Sequence, residues 1–518
     1  MVLLLTAVLC LSLLSLLLAL LRGRSKHTRP LPPGPRPWPV VGNLLNLFLL
    51  QRRLRQPPHA VLAAVARAYG PLVYLRLGAR SVVVASSPSA ASQVLTARDR
   101  ELSGRYIPAT FRISVYTEYS FPWAAHCDDH WRWLRALCKR DIFSIGRVEG
   151  HAGLREGKAR EMVELLLRRQ GEEINVGELV FRTIFNMLGN MLFSRDVIAT
   201  AGEERGVKSD GSWNLNKVMS RNLQLGIMPN LEDFYAAVFG GLDLQGLRRE
   251  ARKNLEMIYE VFDGVIRERR VEMEEGTGGE EVDGKEDFLK VLLDAGCEDV
   301  QLKALFLDIF TAGTDTSTKL VEWTMSELIK NPHVMAQLRE ELQRVVGSPD
   351  RGTTAVRESH LAHLPYLQAC IKETLRLHPP VPMLLPHRAV EACEVMGYEV
   401  PSDCTVIVNV WAIGRDPEVW KDPLRFQPER FLEACSVDYK GMDFEFVPFG
   451  AGRRICPGLP VAARVAPLVV ASMVHGFEWC LPGGMGADRL GMGERLGLVL
   501  EREQPLVLVP KSINAMAE

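Results

Sequence analysis

A cysteine with an unusual frame is the strongest chemical signal in the sequence. Cys456 lies in the segment FGAGRRICPG (449–458), between glycines, two arginines and a proline, and an apolar helical pattern follows it directly. Glycines allow a tight turn that brings backbone N–H groups near the sulfur, and the positive end of a following helix favours thiolate over thiol. A lone cysteine is more often a buried free thiol in a turn, but this frame favours Cys456 as a thiolate that ligates a metal ion.

A second segment weakens the helix that contains it. Ala312-Gly313-Thr314-Asp315-Thr316-Ser317 lies within the apolar helical pattern 300–329. A glycine such as Gly313 costs about 1 kcal/mol relative to alanine in a helix interior, and Asp, Thr and Ser side chains compete for backbone hydrogen bonds. Function usually explains such a cost. The alternative is a Ser/Thr-rich bend in a surface helix.

Two further pairs are generic when each is taken alone. Glu373 and Arg376 stand at i and i+3 on one predicted helix face, where a surface salt bridge worth a few tenths of a kcal/mol is the usual outcome. Trp131 and Arg135 are about one helical turn apart, so their side chains share a helix face. Neither pair specifies a function by itself.

Together these segments resemble the cytochrome P450 family. The pattern FxxGxRxCxG resembles the family's haem-binding loop, three further segments match the family in the expected order, and the match covers nearly the whole chain. By this resemblance haem b is the cofactor, Cys456 is the axial thiolate of its iron, and Arg454 pairs with a haem propionate. The other residues that the resemblance assigns to the haem site are Trp131, Arg135, Arg388, Phe449, Gly450, Ala312 and Gly313.

The resemblance also implies roles for the acidic residues. In the family the segment 312–317 is an opened helical turn that makes room for O2, and the catalytic pair Asp315 and Thr316 relays protons to the distal oxygen. Glu373 and Arg376 form the family's ExxR pair, which joins Arg430 of a downstream Pro-Glu-Arg-Phe segment in a buried ion network. These three residues are predicted to be structural and not catalytic.

The family topology places the substrate pocket above the haem. Its expected lining is apolar, which predicts a small lipophilic substrate oriented by few polar contacts. The predicted lining residues are Phe111, Val115, Ala312, Val381, Met383 and Leu498. The segments PPGPxxxPxxGN, AGTDTS and VPFGAGRRICPG look like those of plant A-type enzymes of specialised metabolism, near the groups that include geraniol and methylcoclaurine hydroxylases.

The sequence carries no reductase of its own. It has no GxGxxG, Walker or GxSxG motif, so an on-chain dinucleotide domain, a P-loop enzyme and a serine hydrolase find no support. By resemblance to the microsomal class, electrons from NADPH arrive through a separate NADPH–cytochrome P450 reductase. The basic residues that could form a face for this acidic partner are Arg132, Arg135, Lys139, Arg140 and Arg453.

The elements that position these residues are predominantly helical. Helical periodicity covers 157–169, 179–193, 247–273 and 300–329, whereas 71–77, 81–85 and 404–410 read as short strands. We therefore predict a mainly α fold with small β-sheets, in which residues 44–518 form one catalytic domain. The net charge of −1 over 518 residues excludes the strongly basic signature of a nucleic-acid-binding protein.

The N-terminus predicts a membrane anchor. Residues 2–21 are apolar or small hydroxyl residues, which is enough for one transmembrane helix over 1–21. Arg22, Arg24, Lys26 and Arg29 follow it and favour a cytoplasmic catalytic domain at the endoplasmic reticulum membrane. A basic, proline-rich hinge is predicted over 22–43. A cleaved secretory signal is the alternative, but a positive n-region and a cleavage site are not clear.

Three functional hypotheses follow. The first is a monooxygenase that inserts one oxygen atom into a small terpenoid, alkaloid or phenolic. The second keeps the haem but performs oxidative coupling, ring closure or rearrangement. The third is a non-catalytic membrane haem-binding protein, against which the intact Asp315–Thr316 pair argues. We expect a monomeric catalytic unit.

Overall fold

The computed structural model describes residues 29–113, 116–198, 215–275, 287–348, 355–432 and 437–513. The predicted anchor (1–21), the start of the predicted hinge (22–28) and Val115 lie outside these ranges. Within them the chain is mainly helical with small β-sheets, which confirms the predicted fold class at this level.

The predicted helices and strands are found close to their expected limits, and shorter elements connect them. The helices are Leu44–Leu54 (α1), Pro58–Tyr69 (α2), Pro88–Ser92 (α3), Tyr116–Tyr119 (α4), Asp129–Leu137 (α5), Ile145–Gly150 (α6), Ala152–Arg168 (α7), Val176–Phe193 (α8), Leu215–Ile227 (α9), Leu231–Phe234 (α10), Ala236–Phe239 (α11), Leu247–Glu274 (α12), Phe288–Asp294 (α13), Asp299–Lys330 (α14), Pro332–Val346 (α15), Pro365–Leu377 (α16), Val410–Ile413 (α17) and Leu459–Gly476 (α18).

In the described parts of the chain the strands form four small sheets. They are Leu72–Leu77 (β1), Arg80–Ala85 (β2), Gly104–Arg105 (β3), Ile174–Asn175 (β4), His387–Arg388 (β5), Cys393–Val395 (β6), Tyr398–Val400 (β7), Thr405–Val408 (β8), Phe477–Cys480 (β9), Glu494–Leu496 (β10), Leu500–Arg502 (β11) and Val507–Ser512 (β12). The largest sheet has the order β1-β2-β8-β5-β3, in which β2 and β8 are parallel and the other neighbours antiparallel. The others are β4-β12-β9, β10-β11 and β6-β7.

Side-chain caps fix the starts of helices that carry the site. The Asp128 carboxylate accepts a hydrogen bond from the Trp131 N–H at 2.8 Å and so starts α5. Glu298 and Gln301 form a reciprocal capping box at the start of α14. The two helices that hold Trp131 and Asp315 therefore begin at defined positions.

The long helix α14 lies at the centre of the core. It packs against α8, α16 and α18, and Phe310 stacks on Phe185 of α8 at 4.6 Å between ring centroids. Helix α18 is the one described helix long and apolar enough to cross a membrane, but 67% of that stretch is buried inside the protein. It is therefore a core helix, and it starts directly after Cys456.

Candidate active site

The Cys456 loop is a tight turn that glycine makes possible. The Cys456 N–H donates to the Phe449 carbonyl at 3.0 Å. Gly450 and Gly452 have positive φ angles of 71° and 65°, and a side chain at Gly452 would overlap the carbonyl of Leu95. Because other residues rarely adopt this backbone, the glycines of the motif fix the loop ahead of α18.

The surroundings of the Cys456 sulfur have two opposing effects on the pKa of its thiol. Burial raises the pKa of the thiol, whereas the N–H groups of Gly458 and Leu459 and the nearby Arg135 lower it. The N–H groups of the loop therefore favour the thiolate, as predicted. The effect of burial is larger, so the pKa of the Cys456 thiol is raised overall. A second positive charge next to the sulfur, such as a metal ion, is what would hold the thiolate here.

Two predicted arginines lie beside the loop and have no carboxylate partner among the described residues. The Arg454 guanidinium donates to the carbonyls of Ala124 at 2.8 Å and Ser103 at 3.1 Å. Arg135 donates to the Ile455 carbonyl at 2.8 Å, and its Nη1 is buried with no partner among the described residues. Buried guanidiniums usually pair with an anion, so this arrangement fits an anionic ligand.

Trp131 lies next to these two arginines. Its indole N–H donates to the Phe121 carbonyl at 3.0 Å, and the Arg454 guanidinium lies 4.7 Å from the centroid of its ring. The sequence places Trp131 and Arg135 on one helix face, and the structure brings both next to Arg454. The ring therefore positions Arg454 by a cation–π contact.

Arg105 and His387 also belong to this cluster, and the sequence reasoning missed them. Both are buried, and the Arg105 Nε has no partner among the described residues. Burial, with the neighbouring Arg454, lowers the pKa of Arg105 to about 9. Burial, followed by Arg105, lowers the pKa of His387 well below its ordinary value. Their contact joins strands far apart in sequence, so no local pattern signals it.

Arg388 does not join the other cations. In the antiparallel β3–β5 ladder Arg105 is opposite His387 and Gly104 is opposite Arg388. Because successive side chains of a strand alternate in face, Arg388 projects away from Arg105 and His387. Its guanidinium pairs with Asp403 at 2.8 Å and lies 3.2 Å from the His126 Nε2. This geometry does not support the prediction that Arg388 contacts a propionate.

These residues fit haem. The half-buried Cys456 thiol precedes α18. Arg135, Arg454 and Arg105 lie in the same region and donate to backbone carbonyls and to no carboxylate among the described residues, which leaves their charges available to the propionates of a haem. Ala312 is exposed although most residues of α14 are buried, so the helix faces open space at that point. The donor chemistry of the site therefore agrees with the predicted cofactor.

The segment around Ala312 differs from expectation in one respect. Helix α14 is uninterrupted from Asp299 to Lys330, so the expected opened turn is not a break in the helix. Instead the Thr316 hydroxyl donates to the Ala312 carbonyl at 2.5 Å, the competing bond that Thr makes in helices. A Cβ at Gly313 would lie 2.9 Å from Leu188, which gives this glycine a packing role against α8.

Asp315 precedes Thr316 in the sequence, and its carboxyl has a raised pKa. Burial raises the pKa of its carboxyl to about 6, which Lys319 lowers and Glu501 raises to smaller extents. The group is therefore within reach of both protonation states near neutral pH.

The predicted ion network is present as a triad in which Glu373 and Arg376 are buried and Arg430 is half-buried. Both Glu373 oxygens accept from Arg376 at 2.7 Å, and Arg430 Nε lies 2.9 Å from Glu373 Oε1. Arg376 also donates to the Pro423 carbonyl at 2.7 Å. Next to the triad, the Phe431 ring lies 5.1 Å from that of Phe446, three residues before Phe449. The network thus supports the Cys456 loop through aromatic contacts.

The predicted lining residues differ in burial and in what they pack against. Val381 and Leu498 are half-buried. Phe111 is buried against Trp123 at 5.0 Å between ring centroids. Met383 packs instead on the apolar cluster of the largest sheet, which includes Leu75, so the structure gives its side chain a packing role in the sheet.

The fold and this site define a haem-thiolate protein. The sequence model described as Cytochrome P450 matches residues 32–509, and the chain belongs to the cytochrome P450 family. It is similar to (S)-N-methylcoclaurine 3'-hydroxylase isozyme 2 of Eschscholzia californica (45% identical, covering 96% of this chain and 97% of the relative). It is also similar to corytuberine synthase of Coptis japonica (41%; 97% and 98%) and berbamunine synthase of Berberis stolonifera (39%; 96% and 97%).

Proposed function

We propose that this cytochrome P450 is a monooxygenase that hydroxylates a small lipophilic plant metabolite of the alkaloid class. The observation that carries the proposal is the half-buried Cys456 thiol, which backbone N–H groups face, near guanidiniums that have no carboxylate partner among the described residues. The alkaloid class is favoured over the terpenoid and phenolic classes because the relative at 45% identity is named as a hydroxylase of (S)-N-methylcoclaurine.

Different residues of the site would bind different parts of the cofactor. When bound, haem supplies the activation of O2 and the transfer of one oxygen atom. Cys456 would ligate the iron, and the loop residues Phe449 and Gly450 would lie against the ring. Arg454, Arg135 and Arg105 would hold the propionates, with Trp131 orienting Arg454. His387 would join them when the propionate charge raises its pKa enough to protonate Nε2, since its Nδ1 is bonded to the Leu102 carbonyl. This assignment replaces Arg388 by Arg105 and His387.

Proton supply is assigned to α14. Asp315 has a pKa of about 6, so it exchanges protons readily near neutral pH. The Thr316 hydroxyl, now bonded to the Ala312 carbonyl, can rotate to donate its proton towards the open space that Ala312 faces. Asp315 would then restore that proton.

Oxidative coupling or ring closure without oxygen insertion is the second candidate. Relatives named corytuberine synthase and berbamunine synthase are 41% and 39% identical. The mass of the product separates the two reactions, because hydroxylation adds one oxygen atom and coupling or ring closure removes two hydrogens.

The electron donor is proposed to be NADPH–cytochrome P450 reductase. The basic face expected for it is partly neutralised, since Arg132, Arg140 and Arg453 pair with Asp129, Asp141 and Asp99. Arg135 turns inward to Ile455. Lys139 is exposed and is the residue we assign to this face first. Reduction by the reductase should slow with added salt.

The membrane arrangement is part of the same proposal. Residues 1–21 would span the endoplasmic reticulum membrane once, residues 22–43 would form the hinge, and residues 44–518 would form a monomeric catalytic domain on the cytoplasmic face. Carbonate extraction of full-length chain against a chain lacking residues 1–28 tests it: only the full-length chain should stay with the membrane.

Incubation with reductase, NADPH, 18O2 and (S)-N-methylcoclaurine tests the function. Hydroxylation predicts a product that contains one 18O atom. A product without 18O and two hydrogens lighter would support coupling or ring closure. NADPH consumption with no product from this or a panel of related alkaloids would contradict the proposed substrate class.

A further inference from the structure

A largely buried carboxylate outside the haem site, with an 11% exposed side chain, has four hydrogen-bond partners. Glu494 Oε1 lies 2.9 Å from His378 Nδ1 and 3.1 Å from Arg415 Nη2. Glu494 Oε2 lies 3.2 Å from His59 Nε2 and 3.0 Å from Trp411 Nε1. These donors come from α2, α17 and the segments that follow α16 and α17. One side chain thus joins three separate parts of the fold to β10: α2, the end of α16, and α17 with the residues directly after it.

A second carboxylate completes this cluster. His378 Nε2 lies 2.8 Å from Glu327 Oε1 near the end of α14, so the imidazole bridges two carboxylates. Its ring stacks on Trp323 of α14 with 4.0 Å between centroids. Burial lowers the pKa of His378, but the two carboxylates outweigh burial and raise it. The charges of Glu327 and Glu494 are thereby balanced by His378 and Arg415.

The strand that carries Glu494 belongs to a very small hairpin. β10 and β11 have three residues each, and Leu498 lies in the turn between them. An isolated two-stranded hairpin is marginally stable in water, so this one depends on anchors outside itself. Its other strand is anchored too, since Leu500 N–H donates to the Pro380 carbonyl at 2.7 Å and Trp323 Nε1 donates to the Leu500 carbonyl at 3.0 Å.

Both anchored strands are connected to residues that are predicted to line the substrate pocket. Pro380 precedes the predicted lining residue Val381, Trp323 lies two helical turns beyond Thr316, and Leu498 connects the two strands. We infer that Glu494 is a positioning residue for the reaction: it fixes the β10–β11 hairpin, and with it Leu498, relative to α14 without touching substrate or haem. The statement that the pocket binds substrate rests on the proposed function. The anchoring of the hairpin by Glu494 does not depend on that function.

Hydrogen exchange tests the anchoring directly. Glu494→Gln removes the charge that His378 and Arg415 face while keeping the size of the side chain. Backbone amides of 494–502 should then exchange about tenfold faster or more, whereas α18 should stay protected. Glu503→Gln is the matched control, because Glu503 is an exposed carboxylate just beyond the same hairpin; its exchange should match the wild type.

Two haem ligands of different size test the positioning. Imidazole reaches the iron without extending far into the pocket, whereas 1-phenylimidazole places a ring among the lining residues. Glu494→Gln should weaken 1-phenylimidazole severalfold, leave imidazole unchanged and retain the CO-difference band. Unchanged exchange at 494–502 would overturn the inference, and so would equal weakening of both ligands with loss of haem, which marks a general structural role.

A conservative variant provides a second test in case Glu494→Gln does not fold. Glu494→Asp keeps the charge with a shorter side chain and should give exchange and 1-phenylimidazole affinity between those of wild type and Glu494→Gln. If Glu494→Gln fails to fold, Glu494→Asp carries the same test, and wild-type behaviour in it would contradict the inference. Absence of the CO-difference band in the wild type would instead contradict the proposed function.

Discussion

Arg105 and His387 are paired across the β3–β5 ladder, so their side chains project from the same face of the sheet. Both are buried, and Arg454 is close enough to lower the pKa of each. Strand register therefore brings Arg105 and His387 together, and the Cys456 loop places Arg454 near both. The same register turns the neighbouring Arg388 towards Asp403.

This register predicts a contrast between two arginine variants. Arg105→Ala should weaken haem binding about tenfold or more, because a charge-assisted hydrogen bond contributes roughly 1.5–3 kcal/mol. Arg388→Ala should retain haem at the wild-type level. The rate of haem transfer to apomyoglobin measures both. Faster haem loss from Arg388→Ala than from Arg105→Ala would contradict the assignment.

Thr316 should control coupling and leave haem binding intact. Thr316→Ala removes the hydroxyl that can deliver a proton, so NADPH consumption should shift from product towards hydrogen peroxide while the CO-difference band persists. Ser326→Ala is the control, since Ser326 makes the same bond to the carbonyl four residues earlier, 2.6 Å from Glu322, in a buried part of α14. Full coupling in Thr316→Ala would refute the proton role.

The raised pKa of Asp315 predicts that the yield of product per NADPH depends on pH. Burial raises its pKa to about 6, so its protonated fraction falls about tenfold for each pH unit above that value. Product formed per NADPH should therefore decline as the pH rises from about 6 to about 8, if Asp315 supplies the proton. Asp315→Asn should lower coupling and flatten this profile. A profile that Asp315→Asn leaves unchanged would exclude Asp315 from the relay.

Asp308 predicts a pH dependence of stability. Its buried carboxyl accepts from the Tyr116 hydroxyl at 2.6 Å, the Phe121 N–H at 2.6 Å and the Ser120 hydroxyl at 2.9 Å. Burial raises its pKa to about 7, although these three donors lower it. The folded state therefore keeps a proton that the unfolded chain releases near pH ~4, and the free energy of unfolding falls as the pH rises from about 4 to about 7.

Asp308→Asn should remove this contribution. The Tm of the wild type minus that of Asp308→Asn should decrease as the pH rises from about 5 to about 8. Differential scanning fluorimetry across that range measures it. A constant difference would show that Asp308 keeps the same protonation state in the folded and unfolded chains.

The sequence predicted those features that rest on local patterns. The periodicity of 300–329 predicted α14, and the glycine frame of Cys456 predicted a tight loop before a helix because both signals lie within one element. The triad of Glu373, Arg376 and Arg430 followed from the family resemblance, and the structure shows these three in contact.

The features that the sequence did not reveal depend on contacts between distant segments. Arg105 and His387 meet only through strand register, and the choice between His387 and Arg388 depends on which face each side chain takes. The family topology predicts Met383 in the pocket lining, but its side chain packs on the sheet. The opened turn near Ala312 was an expectation of the family, whereas α14 is continuous.

The reduced, CO-bound difference spectrum of Cys456→Ala beside the wild type tests the central claim most directly. The account predicts a thiolate-type Soret band for the wild type and its loss in Cys456→Ala. Cys480→Ala, a half-buried free thiol on β9, should keep the band. A thiolate-type band that survives in Cys456→Ala, or its absence from folded wild-type protein supplied with haem, would contradict the assignment of Cys456 as the iron ligand.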